Sequence, residues 1–171
     1  MYTPKEILDA REKRVEFQNE MIHKFKLPLI AIRVNYPGVN KDNKLTRKLM
    51  EAIDKIVSGI FQYDIHCKII KFSPEGPIIL MSINGESLET KKLCIEIEEK
   101  HILGRCIDVD VYDEYGKSIS RTELGYSERK CYICGEPAHI CVRSQKHSQN
   151  EIINFIQKKY EEYVETFHEK L

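Results

Sequence analysis

An excess of charge of either sign is missing: Lys plus Arg number 27 and Asp plus Glu number 27. The chain therefore has no overall electrostatic reason to bind nucleic acid or an anionic membrane, and any anion site must be local. Also missing is an apolar run of the length needed to span a bilayer. The N-terminal "MYTPKEILDAREKR" is charged where a secretory leader would be apolar. No repeat, low-complexity tract or linker interrupts the sequence. Aromatic residues are absent from "GPIILMSI", a strand-like run that would need them to stack bases. These absences exclude a membrane-spanning protein and argue against an RNA-binding sheet. The expected address is cytoplasmic, with no nucleic-acid and no membrane partner.

What is present is a chain of 171 residues, 42% of them apolar. That is enough for one domain with a real core and too little for two, so residues 1–171 are expected to form a single domain. Thr3, Pro4 and Glu6 make a capping-box start for a charged helix reaching roughly to His23. "LPLIAIRVNYPG" reads as a buried strand closed by a turn. From Asp42, apolar residues Leu45, Leu49, Ala52, Ile53, Ile56, Val57 and Ile60 recur at helical steps, with Gly59 as a stop signal. "YDIHCKIIKF" and "GPIILMSI" follow as strands joined by "SPE", then a helix over residues 87–101, the strand in "GRCIDVDVYDEYG", and a short strand "KSIS". The last helix begins at a second capping box, Ser148 with Glu151, and carries an apolar stripe of Ile152, Ile153, Ile156, Tyr160, Tyr163, Val164 and Phe167. The order predicts an α+β domain. A ferredoxin-like, nucleotidyltransferase-like βαββαβ sheet would have helices on one face, an N-terminal helix before it and a hairpin plus helix after it.

Three groups carry chemistry. Asp108 and Asp110 stand two apart on a strand, so both carboxylates leave one face while Ile107, Val109 and Val111 fill the other. Such a pair requires solvent, an arginine or a divalent cation between its charges, and oxygen ligands of this kind suit Mg²⁺. Second, Cys131, Cys134 and Cys141, with His139 or His147, have the ligand chemistry of a tetrahedral zinc site. Redox thiols and reduced buried thiols are the alternatives, and no helix start is evident beside Cys131 to lower a thiol pKa. Third, Arg143, Lys146 and His147 precede the last helix, where free N–H groups favour an anion; a solvated basic turn is the rival reading.

Gly104 and Arg105 precede the carboxylates, and the resulting G-R-x-x-D-x-D resembles the G-[GS]-x-x-D-x-D pattern of nucleotidyltransferases. A longer resemblance runs through "PLIAIRVNYPGVNKDNKLTRKL", "IEIEEKHILGRCIDVDV", "SISRTELG" and "RKCYICGEPAHICVRSQKHS". In that order, over roughly residues 5–155, these stretches resemble the citrate lyase holo-acyl-carrier-protein synthase family, the apo-citrate lyase phosphoribosyl-dephospho-CoA transferases. The resemblance implies transfer of the phosphoribosyl-dephospho-CoA prosthetic group from 2′-(5″-triphosphoribosyl)-3′-dephospho-CoA to a serine of the citrate lyase acyl carrier protein, with release of pyrophosphate. It implies that Asp108 and Asp110 bind Mg²⁺ and serve catalysis, that Gly104 lets the backbone approach phosphates, and that Arg105 replaces the usual Ser or Gly with a guanidinium. Lys41, Arg143, Lys146 and His147 are the further substrate contacts expected, whereas Glu96 and Glu98 are placed on the surface or behind the site. The competing function is a non-catalytic, zinc-stabilised interaction domain, which leaves the aspartate pair and the basic turn unexplained.

Overall fold

A computed structural model describes residues 2–168. Helix α1 (Pro4–Phe25) starts at the expected box: Thr3 Oγ1 accepts from the Glu6 amide, and Glu6 reaches back to the Thr3 amide. It ends where Lys26 turns left-handed. Strand β1 (Leu29–Val34) leads to α2 (Lys44–Ile60). The cap of α2 is Asn43, whose side chain accepts from the Leu45 and Thr46 amides. Gly59 lies inside the last turn, and Phe61 closes the helix. Strands β2 (Ile65–Ser73) and β3 (Gly76–Ile83), helix α3 (Ser87–Lys100) and strand β4 (Ile107–Tyr112) complete the βαββαβ order.

The sheet order is β2-β3-β1-β4 with every neighbouring pair antiparallel, as the split βαβ reading requires. The fold class is α+β. One expectation fails: the helices cover both faces. Ile30, Ile32, Ile79, Met81, Val109 and Val111 meet α2, α3 and the C-terminal helix in the main core, whereas Leu29, Ala31, Ile78 and Leu80 meet Met21 and Ile22 of α1 on the other side. The reason is in the central strands. All eight residues of β3 and the first four of β1 are buried, and a strand apolar at successive positions needs a cover on each face. Full burial of each Ile or Leu there contributes about 1.5–3 kcal/mol relative to exposure.

After β4, Asp113 Oδ1 accepts from the Tyr115 and Lys117 amides and closes the turn. The return segment is less than the expected strand: one bridge joins Tyr112 and Ser118, and the Ile119 amide bonds Val111. A short helix that the sequence did not predict, α4 (Ala138–Ser144), follows Pro137 at its N-cap. Helix α5 (Gln149–His168) starts with reciprocal Ser148–Glu151 bonds. It seats Ile152, Phe155, Ile156, Tyr160 and Tyr163 in the main core; the Phe167 side chain lies outside the described residues. Among the described residues, no helix is long and apolar enough to cross a membrane.

Candidate active site

On β4, burial alternates residue by residue, with Ile107, Val109 and Val111 inward and Asp108 and Asp110 half-buried on the α1 face. Their charges are met by arginine. Arg33, on β1 opposite Asp108 in register, donates across the diagonal to Asp110 Oδ2 at 2.7 Å. Arg129, from the loop before α4, donates to Asp108 Oδ1 at 2.5 Å and to the carbonyls of Ile107 and Gly104. Each carboxylate thus keeps one oxygen, Asp108 Oδ2 and Asp110 Oδ1, without a hydrogen-bond partner among the described residues. Two hard, outward-facing oxygens on one strand face form a donor set that could hold a divalent cation.

The edge strand is held from the far side by α3. Glu98, buried and paired with Arg121 at 2.9 Å and Arg129 at 3.3 Å, accepts from the Val109 amide, and buried Lys91 donates to the Val109 carbonyl. These bonds satisfy backbone groups that an edge strand would leave open. Glu96 and Glu98 of α3 therefore differ: Glu96 is at the surface with Lys100, while Glu98 orients the arginine that grips Asp108.

More positive charge surrounds the pair. Burial holds the Lys41 ammonium below its ordinary pKa; Arg11 and Arg33 act in the same direction, against Asp108 and Glu75. Lys41 Nζ donates to the Tyr36 carbonyl. Glu75, at the β2–β3 turn with its side chain 3% exposed, is bonded by Arg14 at 2.8 Å and approached by Arg11 at 4.0 Å. Gly76 makes this packing possible: its φ is +100°, and a Cβ there would lie 2.9 Å from the Lys41 carbonyl. The Arg33 Nε is buried and finds no partner among the described residues. Arg11, Arg14, Arg33, Lys41 and Arg129 thus confront Glu75, Asp108 and Asp110, a local excess of cations in an electroneutral chain. Beside them, between α1 and the β2–β3 hairpin, lies a cavity of about 280 Å³ lined by Lys13, Arg14, Phe17, Lys71, Glu75 and Ile78 among others.

The residues preceding the carboxylates are closely packed. Gly104, in a 3₁₀ turn (Gly104–Cys106), is pressed against α3 so closely that a Cβ would meet the Ile97 carbonyl oxygen at 2.2 Å. Arg105 donates to the Lys130 carbonyl, and burial, followed by the nearby Arg129, lowers its pKa.

The cysteines and histidines form a separate cluster. Single ligand atoms of Cys131, Cys134, Cys141 and His147 lie within 4.8 Å of one another, an arrangement that could hold a metal such as zinc. Of the two histidines open in the sequence, His147 joins, with Nε2 3.4 Å from Cys131 Sγ; His139 instead faces Glu128 at 3.6 Å. Burial pushes the Cys131 thiol up, but the Cys134 and Ile133 amides and the neighbouring thiols outweigh it and bring it to about 7. The basic turn does not converge: Lys146 pairs with Glu136, His147 turns to the sulfurs, and Arg143 is exposed on α4 with no polar partner among the described residues.

The family model for apo-citrate lyase phosphoribosyl-dephospho-CoA transferase matches residues 3–163. The chain belongs to that family. A Vibrio cholerae relative named "Probable apo-citrate lyase phosphoribosyl-dephospho-CoA transferase" is 31% identical over 164 residues, 92% of this chain and 91% of the relative. An Escherichia coli O157:H7 relative named "Apo-citrate lyase phosphoribosyl-dephospho-CoA transferase" is 28% identical over 152 residues, 87% and 83% of the two chains. In the "Protein CitXG" of Leuconostoc mesenteroides, 31% identical over 157 residues, the match spans 90% of this chain and 34% of the longer relative.

Of the residues singled out in the sequence of this transferase family member, Asp108, Asp110 and Lys41 share one neighbourhood. Arg33, Arg129, Arg11, Arg14, Glu75 and Glu98 were not anticipated. One signal was available: Arg33 is a cation inside an otherwise apolar strand, and a paired-carboxylate strand needs such a neighbour.

Proposed function

We propose that the protein transfers the phosphoribosyl-dephospho-CoA group from 2′-(5″-triphosphoribosyl)-3′-dephospho-CoA to a serine of the citrate lyase acyl carrier protein, and that it acts as one nucleotidyltransferase domain. The observation that carries this reading is the pair of free oxygens on Asp108 and Asp110 within an arginine- and lysine-rich face. The donor's triphosphate lies against Arg33, Lys41 and Arg11, which offset its charge and orient it. The serine hydroxyl of the carrier attacks the phosphorus nearest the ribose. A new P–O bond forms as the bond to pyrophosphate breaks, and the serine proton passes to solvent water, its departure favoured by the negative charge of the carboxylate pair. Mg²⁺, which Asp108 Oδ2 and Asp110 Oδ1 would hold, supplies neutralisation of the pyrophosphate charge when bound. The cavity beside α1, apolar at Phe17 and Ile78 and lined by Lys13, Arg14 and Lys71 as well as Glu6, Asp9 and Glu75, takes an uncharged part of the dephospho-CoA moiety.

The test is incubation with apo-carrier protein and the triphosphoribosyl donor, read by mass added to the carrier and by pyrophosphate released. Asp110→Asn is expected to lower turnover by about 100-fold or more with little change in Tm, since Asp110 is 35% exposed and its ion pair is partly solvated. Near-normal transfer by this variant would remove the pair from the mechanism.

A further inference from the structure

We propose that Cys131, Cys134, Cys141 and His147 form a structural zinc site that holds the Arg129 segment, and through it the Arg129–Asp108 contact, in place. Four ligand atoms from separate positions converge: two from the Cys131–Gly135 knuckle, one from α4 and one from the turn before α5. The knuckle is already formed, with the Gly135 amide on the Cys131 carbonyl at 2.9 Å, the Ile133 amide on Cys131 Sγ at 3.5 Å, and Gly135 at φ +76°. Tetrahedral zinc with Zn–S near 2.3 Å sets sulfurs about 3.8 Å apart. The Cys134–Cys141 and Cys131–His147 separations, both 3.4 Å, are close to that geometry and far from the length of a disulfide.

Beyond the Tyr132 ring, which stacks on Phe155 of α5 at 4.3 Å, and the Arg121 and Arg129 ion pairs, the segment has little core to hold it. Between β4 and α5, the only buried apolar side chains among the described residues are Ile119, Cys131 and Cys141, and two of those are ligands. A short helix with no side-chain cap and a single bridge, Lys130 to Pro137, make up most of its regular structure around the cysteines. A stretch so poor in core is where a metal supplies folding free energy.

The connection to the carboxylate strand is direct. Arg129 lies two residues before Cys131, and its carbonyl accepts from the amide of Ala138, the first residue of the helix that carries Cys141. The Lys130 carbonyl accepts from Arg105. Fixing Cys131 to Cys141 therefore fixes both ends of the backbone that presents Arg129 to Asp108, Ile107 and Glu98.

The experiment uses the full chain purified without chelator. Expected are one zinc per chain by elemental analysis and, after exchange with Co²⁺, the visible spectrum of tetrahedral cobalt with an intense thiolate charge-transfer band. Cys134→Ser and His147→Ala should bind zinc at least tenfold more weakly, and His139→Ala should bind it as the parent does. Chelation should speed amide exchange across 129–141 in the otherwise folded protein. Three titratable thiols or a Cys134–Cys141 disulfide in protein that takes up neither zinc nor cobalt would overturn the metal site. Unchanged exchange at 129–131 after zinc removal would overturn its role in holding Arg129.

Discussion

At Lys41 the proposed function and stability separate at a single side chain. Burial holds its pKa below the ordinary lysine value, with Arg11 and Arg33 adding repulsion. The folded protein therefore binds that proton less tightly than the unfolded chain does. Where the unfolded state binds more protons, stability rises with pH, so this contribution grows only as pH climbs through the folded pKa toward the usual lysine range. At neutral pH the charged ammonium is a cost. A half-buried cation kept at a cost is expected where an anion is bound. Lys41→Met should therefore leave Tm unchanged or raise it, while the KM for the triphosphoribosyl donor increases about tenfold or more, the loss of one charged hydrogen bond. A clear drop in Tm with unchanged KM would make Lys41 a structural residue, tied only to the Tyr36 carbonyl.

At the scale of elements, the 3₁₀ turn Gly104–Cys106 offers two explanations for one glycine. Phosphate approach requires an open backbone, whereas the structure places the Gly104 Cα against α3, where a Cβ would lie 2.2 Å from the Ile97 carbonyl and 2.6 Å from that of Glu98. Backbone carbonyls of a helix cannot yield as a flexible side chain can. Gly104→Ala is expected to destabilise by about 3 kcal/mol, at the upper end for overpacking, or roughly 6–12 °C in Tm for a chain of this size. The folded fraction should keep its donor KM; a variant of normal Tm with a raised KM would assign the glycine to phosphate instead. The same elements show what could be read in advance. The capping boxes at Thr3 and Ser148, the periodic α2 and the alternating β4 carry local signals, and they stand where expected. The second helical layer was also written in the sequence, in the unbroken apolar runs of β1 and β3, but was not anticipated. Helix α4 had no such signal: its start has no side-chain cap, and its place follows from the turn at Pro137 and the cysteine cluster. Of the arginines, Arg33 showed only as a cation in an apolar strand and Arg129 not at all, since they meet their aspartates across 77 and 21 residues of sequence.

At the scale of the whole molecule, the proposed function requires a neutral chain to hold a polyanion, and two surfaces are candidates for it. One is the α1 face, with Arg11, Arg14, Arg33, Lys41 and Arg129 around the carboxylates. The other is α4 and the following turn, with Arg143 and Lys146. Among the arginines of the first group, Arg11 is the one least engaged by a carboxylate, half exposed and 4.0 Å from Glu75, whereas Arg14, Arg33 and Arg129 are bonded at 2.8, 2.7 and 2.5 Å. It is therefore freest to meet an incoming phosphate, and its removal leaves the Arg14–Glu75 pair intact. Arg143 is exposed and has no hydrogen bond or ion pair among the described residues, while Lys146 is already paired with Glu136. Arg11→Ala is expected to raise the donor KM about tenfold, close to 1.4 kcal/mol, with kcat, carrier KM and Tm little altered. The same variant should flatten the salt dependence of donor binding, because screening acts on charges that remain exposed. Arg143→Ala should change the donor KM by less than about twofold, as for a solvated surface charge. Steady-state kinetics with each substrate varied in turn, at low and moderate salt, distinguish the two surfaces. A large donor effect from Arg143→Ala with none from Arg11→Ala would move the triphosphate to the α4 side, and Asp108 and Asp110 would then lie apart from the phosphates they are proposed to serve.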